Sequence, residues 1–288
     1  MNVKFIHMKQ YILISVIFAA LFLTANIKSD AQVLDGIYVK EHVPARKPIP
    51  YKYLREADVM WSKRIWRIID LREKINQPLY FPTSRIGDRM SLIDLLIWGI
   101  ETEGLTPYSP DDDRFTQPIG MTQIDVAFGA GQKSNTYIDE NGVEQEAIIV
   151  EEKTTSEVKQ YIVKEDWFFD KQYSTMGVRI IGLCPVRFYV KDDMPDGETR
   201  RAQVFWIYFP EARRILANHE VFNEFNDAER RTFDDIFFKR KFNSFIVRET
   251  NVYDDRGIGE YTRGEESILE GEKIKRKITD YEQDLWNY

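Results

Sequence analysis

Apolar and polar side chains follow the most regular pattern in residues 58–82, which read DVMWSKRIWRIIDLREKINQPLYFP. At 3.6 residues per turn, the larger apolar side chains fall on one face, and charged side chains occupy most of the remaining surface. The apolar face consists of Ala57, Trp61, Ile65, Ile68, Leu71 and Ile75. The pattern predicts an amphipathic helix of about six turns that ends at Pro78. Trp66 lies off that face, so it either packs against a second layer or contacts a partner.

A second helix is predicted to begin after Ser91. Asp94 stands three residues further on, which makes an imperfect capping box with Ser91. The following residues, up to Ile100, are apolar on most sides of a helix, so this helix is expected to be buried. Gly104 suits the position that follows a helix end. We expect the two helices to pack together as the first half of the fold.

The second half of the chain is richer in strands. Residues 177–190 and 199–209 are long segments of β-branched and aromatic residues, and Pro195-Asp196-Gly197 between them is typical of a turn. They predict an antiparallel hairpin at the centre of a small sheet. Trp167-Phe168-Phe169 forms either an edge strand or a layer under that sheet. Asn141-Gly142 predicts a second, flexible hairpin, inserted near residues 129–160.

Two further helices are predicted after the hairpin. Pro210 can open the first, over residues 211–218, and Asn226 or Asp227 can cap the second, over residues 228–242. The predicted fold is therefore α+β, with an N-terminal helical pair packed with a small antiparallel sheet and further helices.

The first residues resemble an export signal. Lys4 and Lys9 precede an apolar run of about 15 residues, which is shorter than the ~20 that a membrane span needs. Small and polar residues follow, so we expect cleavage between Ala31 and Gln32, with a cut near Ala25 or a retained anchor helix as alternatives. The cleavage region has no cysteine for acylation. Any membrane association of the exported chain is therefore expected to be indirect.

The next segment, residues 32–53, is predicted to be an extended arm. Pro44, Pro48 and Pro50 prevent a helix there, and Tyr51 follows directly. The arm also carries the apolar residues Val33, Leu34, Ile37, Tyr38 and Val39. It is either mobile or lies on a neighbouring subunit or partner, as extended segments do when they fill a groove.

The last region, residues 251–288, is strongly charged and contains one short helix. Apolar residues recur there every three or four positions, at Ile274, Ile278, Tyr281, Leu285 and Tyr288. Such a seam either folds back on its own domain or docks on a partner. Four regions are thus expected: a signal peptide (1–31), an arm (32–53), a globular domain (54–250) and a charged tail (251–288).

Composition narrows the classes of function. The 288 residues are 43% hydrophobic, 30% charged and 14% aromatic, which indicates a packed globular chain. The formal net charge of −7 makes the chain a poor general binder of nucleic acid or anionic lipid. Cys184 is the only cysteine, so no internal disulfide can form.

The sequence shows no catalytic, cofactor-binding or metal-binding signature. The histidines that remain after signal removal, His42 and His219, have no metal-ligand spacing, and Cys184 lies in an apolar strand. The segment GAGQKS lacks the spacing of a phosphate-binding loop, and Asp111-Asp112-Asp113 lacks that of a calcium loop. We interpret this acidic run as a solvated loop. An exported hydrolase that uses two carboxylates, or an exported ligand-binding module, stays open as an alternative.

One motif gives a specific resemblance. The pattern W-S-K-R-x-W-R-x-I-D-L-R-E-K-x-N-x-P-L at Trp61–Leu79, followed by SLIDLLIWGI, resembles the GldN family of gliding-motility proteins, called PorN in bacteria that do not glide. The signal, the proline-containing arm and the Phe-rich helix at Thr232–Phe245 are also similar. The resemblance extends over the whole mature chain.

This resemblance implies a structural role, with no catalytic residue and no cofactor to transfer. The family belongs to the type IX secretion system of Bacteroidetes. Its members lie in the periplasm, form a ring with an outer-membrane lipoprotein (GldK or PorK) and couple to inner-membrane motor proteins (GldL and GldM). The candidate partner-binding residues are Pro44, Pro48, Pro50, Tyr51, Trp66, Ile274, Ile278, Tyr281 and Leu285.

Overall fold

The computed structural model describes residues 45–138, 144–151, 153–190, 199–224, 226 and 228–286, without the side chains of 131–138, 144–151 and 286. The predicted signal peptide with its cleavage residues Ala31 and Gln32 lies outside the described residues. The same holds for the first part of the arm, including Pro44.

Eleven strands and seven α-helices lie within these ranges. The strands are β1 (Val59–Asp70), β2 (Pro107–Tyr108), β3 (Gly131–Ile138), β4 (Glu144–Glu151), β5 (Val158–Asp170), β6 (Thr175–Val190), β7 (Thr199–Gln203), β8 (Trp206–Tyr208), β9 (Glu220–Val221), β10 (Arg231–Thr232) and β11 (Phe245–Glu249). The helices are α1 (Gln77–Tyr80), α2 (Leu92–Thr102), α3 (Met121–Ala127), α4 (Phe209–Asn218), α5 (Phe233–Phe238), α6 (Ile258–Tyr261) and α7 (Glu265–Trp286). The α+β class is confirmed.

The predicted opening helix is wrong, because the first part of that segment forms strand β1. Its β-branched and aromatic residues suit a strand. The charged residues that suggested a solvated helix face are instead paired across strands. Arg64 Nε donates to Asp166 Oδ1 at 2.7 Å, and Lys63 Nζ lies 3.4 Å from Glu249 Oε2. The N-terminal helical pair therefore reduces to α2, with the single-turn helix α1 before it.

The main sheet has seven strands and is antiparallel throughout. Its order is β11-β1-β5-β6-β8-β2, and β7 pairs with β6 beside β8. The predicted hairpin is thus formed by β6 with β7 and β8. Trp167-Phe168-Phe169 lies in β5, between β1 and β6, so neither the edge position nor the layer under the sheet is correct. Strands β3 and β4 form a separate antiparallel pair at the predicted insertion, and its turn at Asn141-Gly142 lies outside the described residues.

Capping residues determine where the helices begin and end. Ser91 Oγ accepts a hydrogen bond from Asp94 N at 3.2 Å, as predicted for the start of α2, and Gly104 has φ +71° just past its end. Pro210 stands in the first turn of α4, also as predicted. The helix expected over residues 228–242 is shorter, because Thr232 pairs with β9 and then caps α5 through Asp235 N.

Two apolar clusters cover one face of the sheet, and a third lies on the other face. Ile65 and Ile69 project to the same face because side chains alternate along a strand. Ile69 belongs to the large cluster with α2, α4 and α5, whereas Ile65 belongs to a smaller cluster under α6 and α7. Trp66 projects to the opposite face and packs with Cys184 and Trp206.

The end of β1 gives a test of pH dependence. Hydrogen bonds from the Arg72 side chain, one of them 2.6 Å long, lower the pKa of Asp70 from 3.8 to about 2. This carboxylate stabilises the fold above its unfolded pKa, and the contribution is lost as pH falls through about 2. Asp70→Asn is expected to cost about 2 kcal/mol at pH 6.

The measurement is urea unfolding of the unmodified chain and of the Asp70→Asn variant between pH 6 and pH 2. The stability difference between them is expected to shrink from pH 4 downwards. A difference that stays constant down to pH 2 would contradict this role of Asp70.

Candidate functional site

Trp66 is a buried anchor of the sheet. Its side chain is 3% exposed, and its Nε1 donates to Asp113 Oδ2 at 2.7 Å. The Arg248 guanidinium lies 3.9 Å from the centre of the indole ring, which gives a cation–π contact. A partner-binding role for Trp66 requires an exposed ring. The described structure instead agrees with the alternative in which Trp66 packs inside its own domain.

The Asp113 carboxylate contacts three side chains on the face of the sheet that carries Trp66. Besides Trp66, its carboxylate lies 2.9 Å from Arg248 Nη2 and 3.4 Å from Lys164 Nζ, which also donates to the Asp113 main-chain oxygen at 2.6 Å. Burial lowers the pKa of Lys164, and the charge of Asp113 opposes that effect. The interpretation of Asp111-Asp112-Asp113 as a solvated loop is therefore wrong for Asp113.

The Phe115 ring packs against Gly182 of β6 and holds the same loop on the sheet. A Cβ at Gly182 would lie 2.6 Å from the Phe115 Cζ, so only glycine allows this approach. The Phe115 ring makes edge-to-face contacts with Tyr108, Trp206 and Tyr208. Residues 109–116 therefore form a cover over one face of the sheet.

The C-terminal seam lies on the opposite face. Ile274 and Ile278 are buried with Ile65, Ile246 and Ile258. Tyr281 stacks on Trp61 with ring centres 5.0 Å apart, and Leu285 is half-buried. The described part of the seam thus packs on its own domain, which was one of the two alternatives, and Tyr288 lies outside the described residues. Partner docking through these residues would require α7 to leave the sheet.

A buried ion pair separates the two clusters on this face. Glu165 is fully buried, and it accepts two hydrogen bonds from Arg240, at 2.9 and 3.1 Å. Trp167 Nε1 donates to the same carboxylate at 3.0 Å. The Arg240 guanidinium also lies between the rings of Trp167 and Phe242, one from each cluster. This pair fixes the position of the chain between α5 and β11.

The described part of the arm lies on its own domain. The Tyr51 ring centre is 4.4 Å from the Arg213 guanidinium, which forms a bidentate pair with Asp234 at 2.8 and 3.0 Å. Burial raises the pKa of Tyr51. Further back along the chain, Arg46 Nη1 donates to Asp235 Oδ2 at 2.7 Å. Of the candidate prolines, Pro48 is half-buried and Pro50 is exposed.

An apolar groove of about 400 Å³ was not predicted from the sequence. Three of its side chains are unusually exposed: Phe81 at 51%, Ile86 at 58% and Phe222 at 47%. Pro78, Pro82, Met90 and Val221 complete its apolar lining. The groove joins residues 78–86 with β9, which are far apart in sequence. The only sequence signal was the aromatic connector Leu79-Tyr80-Phe81-Pro82.

The described residues contain no group of three or more His, Cys, Asp or Glu side chains that could hold a metal ion. His219 Nδ1 lies 2.9 Å from the Ile215 oxygen, and Cys184 is buried, which raises its pKa. An acid catalyst needs a carboxyl with a raised pKa. Each described carboxyl with a resolved shift has a lowered pKa, at Asp58, Asp70, Asp112, Glu229 and Asp235.

Helices that could cross a bilayer are absent from the described part of the chain, since none is both long and apolar enough.

The family comparison supports the resemblance carried by the motif at Trp61–Leu79. Comparison with curated proteins finds no match. Residues 54–287 match the family described as gliding motility associated protein GldN. That range includes the whole main sheet, the cover over Trp66 and the whole of α7. Because the match covers most of the chain, the protein belongs to the GldN family.

Proposed function

We propose that this chain is a structural subunit of a periplasmic ring in the type IX secretion and gliding machinery. Membership of the GldN family makes it a component of gliding motility and type IX secretion. The proposed partners are further copies of the chain, an outer-membrane lipoprotein of the GldK or PorK type, and the periplasmic domain of a motor protein of the GldM or PorM type. The observation that carries the proposal is the family match over residues 54–287.

The internal contacts of the described residues support a mechanical role. The sheet is anchored on both faces, by Asp113 on one side and by the Glu165–Arg240 pair on the other. Ion pairs with one buried partner, here Lys164 and Glu165, oppose local opening, because separating the pair leaves a buried charge uncompensated. A subunit that transmits force between the two membranes needs such resistance. The membrane association is proposed to be indirect, through the lipoprotein.

Partner contacts are proposed to use exposed apolar side chains. The apolar groove provides one such surface. Further exposed apolar side chains lie on α7, at Ile268 (60% exposed) and Leu269, and in the loop before α6, at Val252 and Tyr253. Large exposed apolar side chains of this kind mark interaction surfaces. Of the candidates from the sequence, Pro50 is exposed and Tyr51 is half-buried, and we propose that a partner contacts the arm at these residues.

Deletion of residues 32–47, with the export signal retained, is expected to spare folding and to lower assembly with the lipoprotein. Folding is spared because the hydrogen bonds that are lost, from Arg46 to Asp235 and to the Arg230 main-chain oxygen, are exposed, and the ion pair contributes about 0–1 kcal/mol. Tyr51 and its contact with Arg213 remain.

The measurement is recovery of the lipoprotein in a pull-down of the tagged chain from envelope fractions. Arg46→Ala is the matched control, because it removes the ion pair and leaves the arm. A complex of unchanged amount after the deletion would contradict a role of the arm in assembly.

A further inference from the structure

The loop between β11 and α6 presents an apolar tip to solvent. Val252 is 90% exposed, which is more than any other large apolar side chain in the described residues, and its neighbour Tyr253 is 66% exposed. Asp254 follows and is also exposed, and it forms no ion pair with any described residue. The tip therefore combines two adjacent apolar side chains with one carboxylate that has no cation beside it.

The side chain of Asn251 holds this loop in one conformation. Its Oδ1 accepts hydrogen bonds from Tyr253 N at 2.9 Å and from Arg256 N at 3.2 Å. Its Nδ2 donates to the Arg256 oxygen at 3.0 Å. Asp254 and Asp255 have φ of +54° and +56°, which residues other than glycine rarely adopt. A loop fixed in this way loses little conformational freedom when it binds, which favours a role in docking.

The apolar groove carries the opposite charge at its edge. Arg89 lies 5.6 Å from the ring centre of Phe222 and forms no ion pair with any described residue. The other charged side chains at the edge are paired, Lys74 with Glu224 and Glu220 with Arg230. A concave apolar surface beside a guanidinium thus complements a convex apolar tip beside a carboxylate.

The loop cannot reach the groove of its own chain. The loop starts at the Arg64 end of the β1–β11 pair, where Thr250 N donates to the Arg64 oxygen at 3.1 Å. The groove starts beyond the other end of β1, where Asn76 Nδ2 donates to the Asp70 oxygen at 2.8 Å and Gln77 is the next residue. The six steps from Arg64 to Asp70 span about 20 Å, whereas the three residues up to Tyr253 span at most about 11 Å.

We propose that Val252 and Tyr253 of one copy insert into the apolar groove of a second copy, with Asp254 facing Arg89. The contact joins two different surfaces, so each copy can bind one neighbour through its loop and another through its groove. Such head-to-tail contacts give a ring when the rotation between copies closes. The proposal rests on the proposed function in taking a second copy of the chain as the partner, and it identifies the two surfaces that meet.

Cysteine pairing between copies tests the contact directly. Full-length chains with Val252→Cys and with Ile86→Cys are purified with different tags and mixed, and the native Cys184 stays in place because it is buried. Under mild oxidation, the 252–86 disulfide is expected to exceed either same-position disulfide by about tenfold, because docking raises the effective concentration of that pair alone. A random mixture of the three disulfides, or none at all, would overturn the proposal.

Val252→Cys mixed with Ile268→Cys is the matched control. Ile268 lies on α7, away from the groove, and is about as exposed as Ile86. This pair is expected to link in few molecules. Linkage as efficient as that of the 252–86 pair would mean that the cysteines meet by random collision, and the proposal would fall.

A mixing experiment without cysteines tests the head-to-tail geometry. Val252→Asp in the loop and Ile86→Asp in the groove are each expected to weaken self-association by at least tenfold, measured by sedimentation velocity over a range of concentrations. A mixture of the two variants retains one intact loop and one intact groove, so it is expected to form dimers that contain one of each and grow no further. Failure of the mixture to associate would overturn the proposal.

Val126→Asp is the control for added charge, since Val126 is an exposed apolar residue on α3 that does not line the groove. It is expected to leave self-association unchanged, and an equal loss would contradict a specific contact. These measurements use purified copies of the chain alone. Loss of the contact while components of the machinery are still captured would therefore reject this interface and leave the proposed function standing.

Discussion

Replacement of Asp113 by asparagine is expected to lower the free energy of unfolding by about 3 kcal/mol. Among the described residues, the change removes the only negative charge within 4 Å of Lys164 Nζ, whose side chain is nearly fully buried. Arg248 loses the same partner at 2.9 Å, and the Trp66 indole loses a charge-assisted hydrogen bond. The value lies at the low end of the range for broken buried pairs, because Asp113 is partly exposed.

The measurement is urea unfolding of the purified chain, followed by tryptophan fluorescence. Asp111→Asn is the matched control, since Asp111 is exposed in the same loop, and it is expected to change stability by less than about 0.5 kcal/mol. Equal effects of the two substitutions would show that Asp113 does not hold the loop on the sheet.

Replacement of Ile274 by alanine is expected to lower the free energy of unfolding by about 3 kcal/mol. Ile274 is 2% exposed and packs in the cluster of Ile65 and Ile246, so the shorter side chain leaves a cavity under α7. The helix has little room to move inward, because a Cβ at Gly271 would already lie 2.8 Å from the Ile246 oxygen.

Ile268→Ala is the matched control on the same helix, because Ile268 is 60% exposed. It is expected to leave stability within about 0.5 kcal/mol of the original. This comparison separates the two interpretations of the C-terminal seam. If Ile274→Ala left stability unchanged and reduced the capture of partners, the seam would be a docking surface, and its packing against the sheet would not matter for folding.

Local signals predicted the elements whose patterns depend on neighbouring residues. Helix α2 begins directly after its cap Ser91 and ends before Gly104, because capping is decided within a few residues. The helix α4 and the strand β6 followed in the same way from Pro210 and from a long β-branched segment. These elements can be predicted without knowing which residues pack against them.

Strand β1 could not be recognised from its own residues, because tertiary contacts decide its structure. Its charged residues suggested a solvated helix face. Arg64 and Lys63 instead find their partners in β5 and β11, about 100 and 190 residues later. Spacings of three and four residues between apolar side chains therefore fitted a helix by coincidence. Both faces of β1 are covered in its second half, so the alternation typical of a strand is weak there.

The candidate surfaces were missed for a related reason. The apolar groove combines α1 and the following loop with β9, and no pattern in either segment indicates that they meet. Asp113 was interpreted as part of a solvated run because Trp66, Lys164 and Arg248 lie on three different strands. The residues that carried the family resemblance nevertheless have defined structural roles. Trp61 stacks under α7, Arg64 pairs with Asp166, and Trp66 anchors the cover.

We propose that this chain works as a structural subunit through contacts with other proteins. The most direct measurement is a cross-linked pull-down of the tagged, full-length chain from envelope fractions, with the captured proteins identified by mass spectrometry. We expect further copies of the chain, an outer-membrane lipoprotein and periplasmic parts of the motor to be captured together. Recovery of the chain without any component of the type IX secretion or gliding machinery would contradict the account.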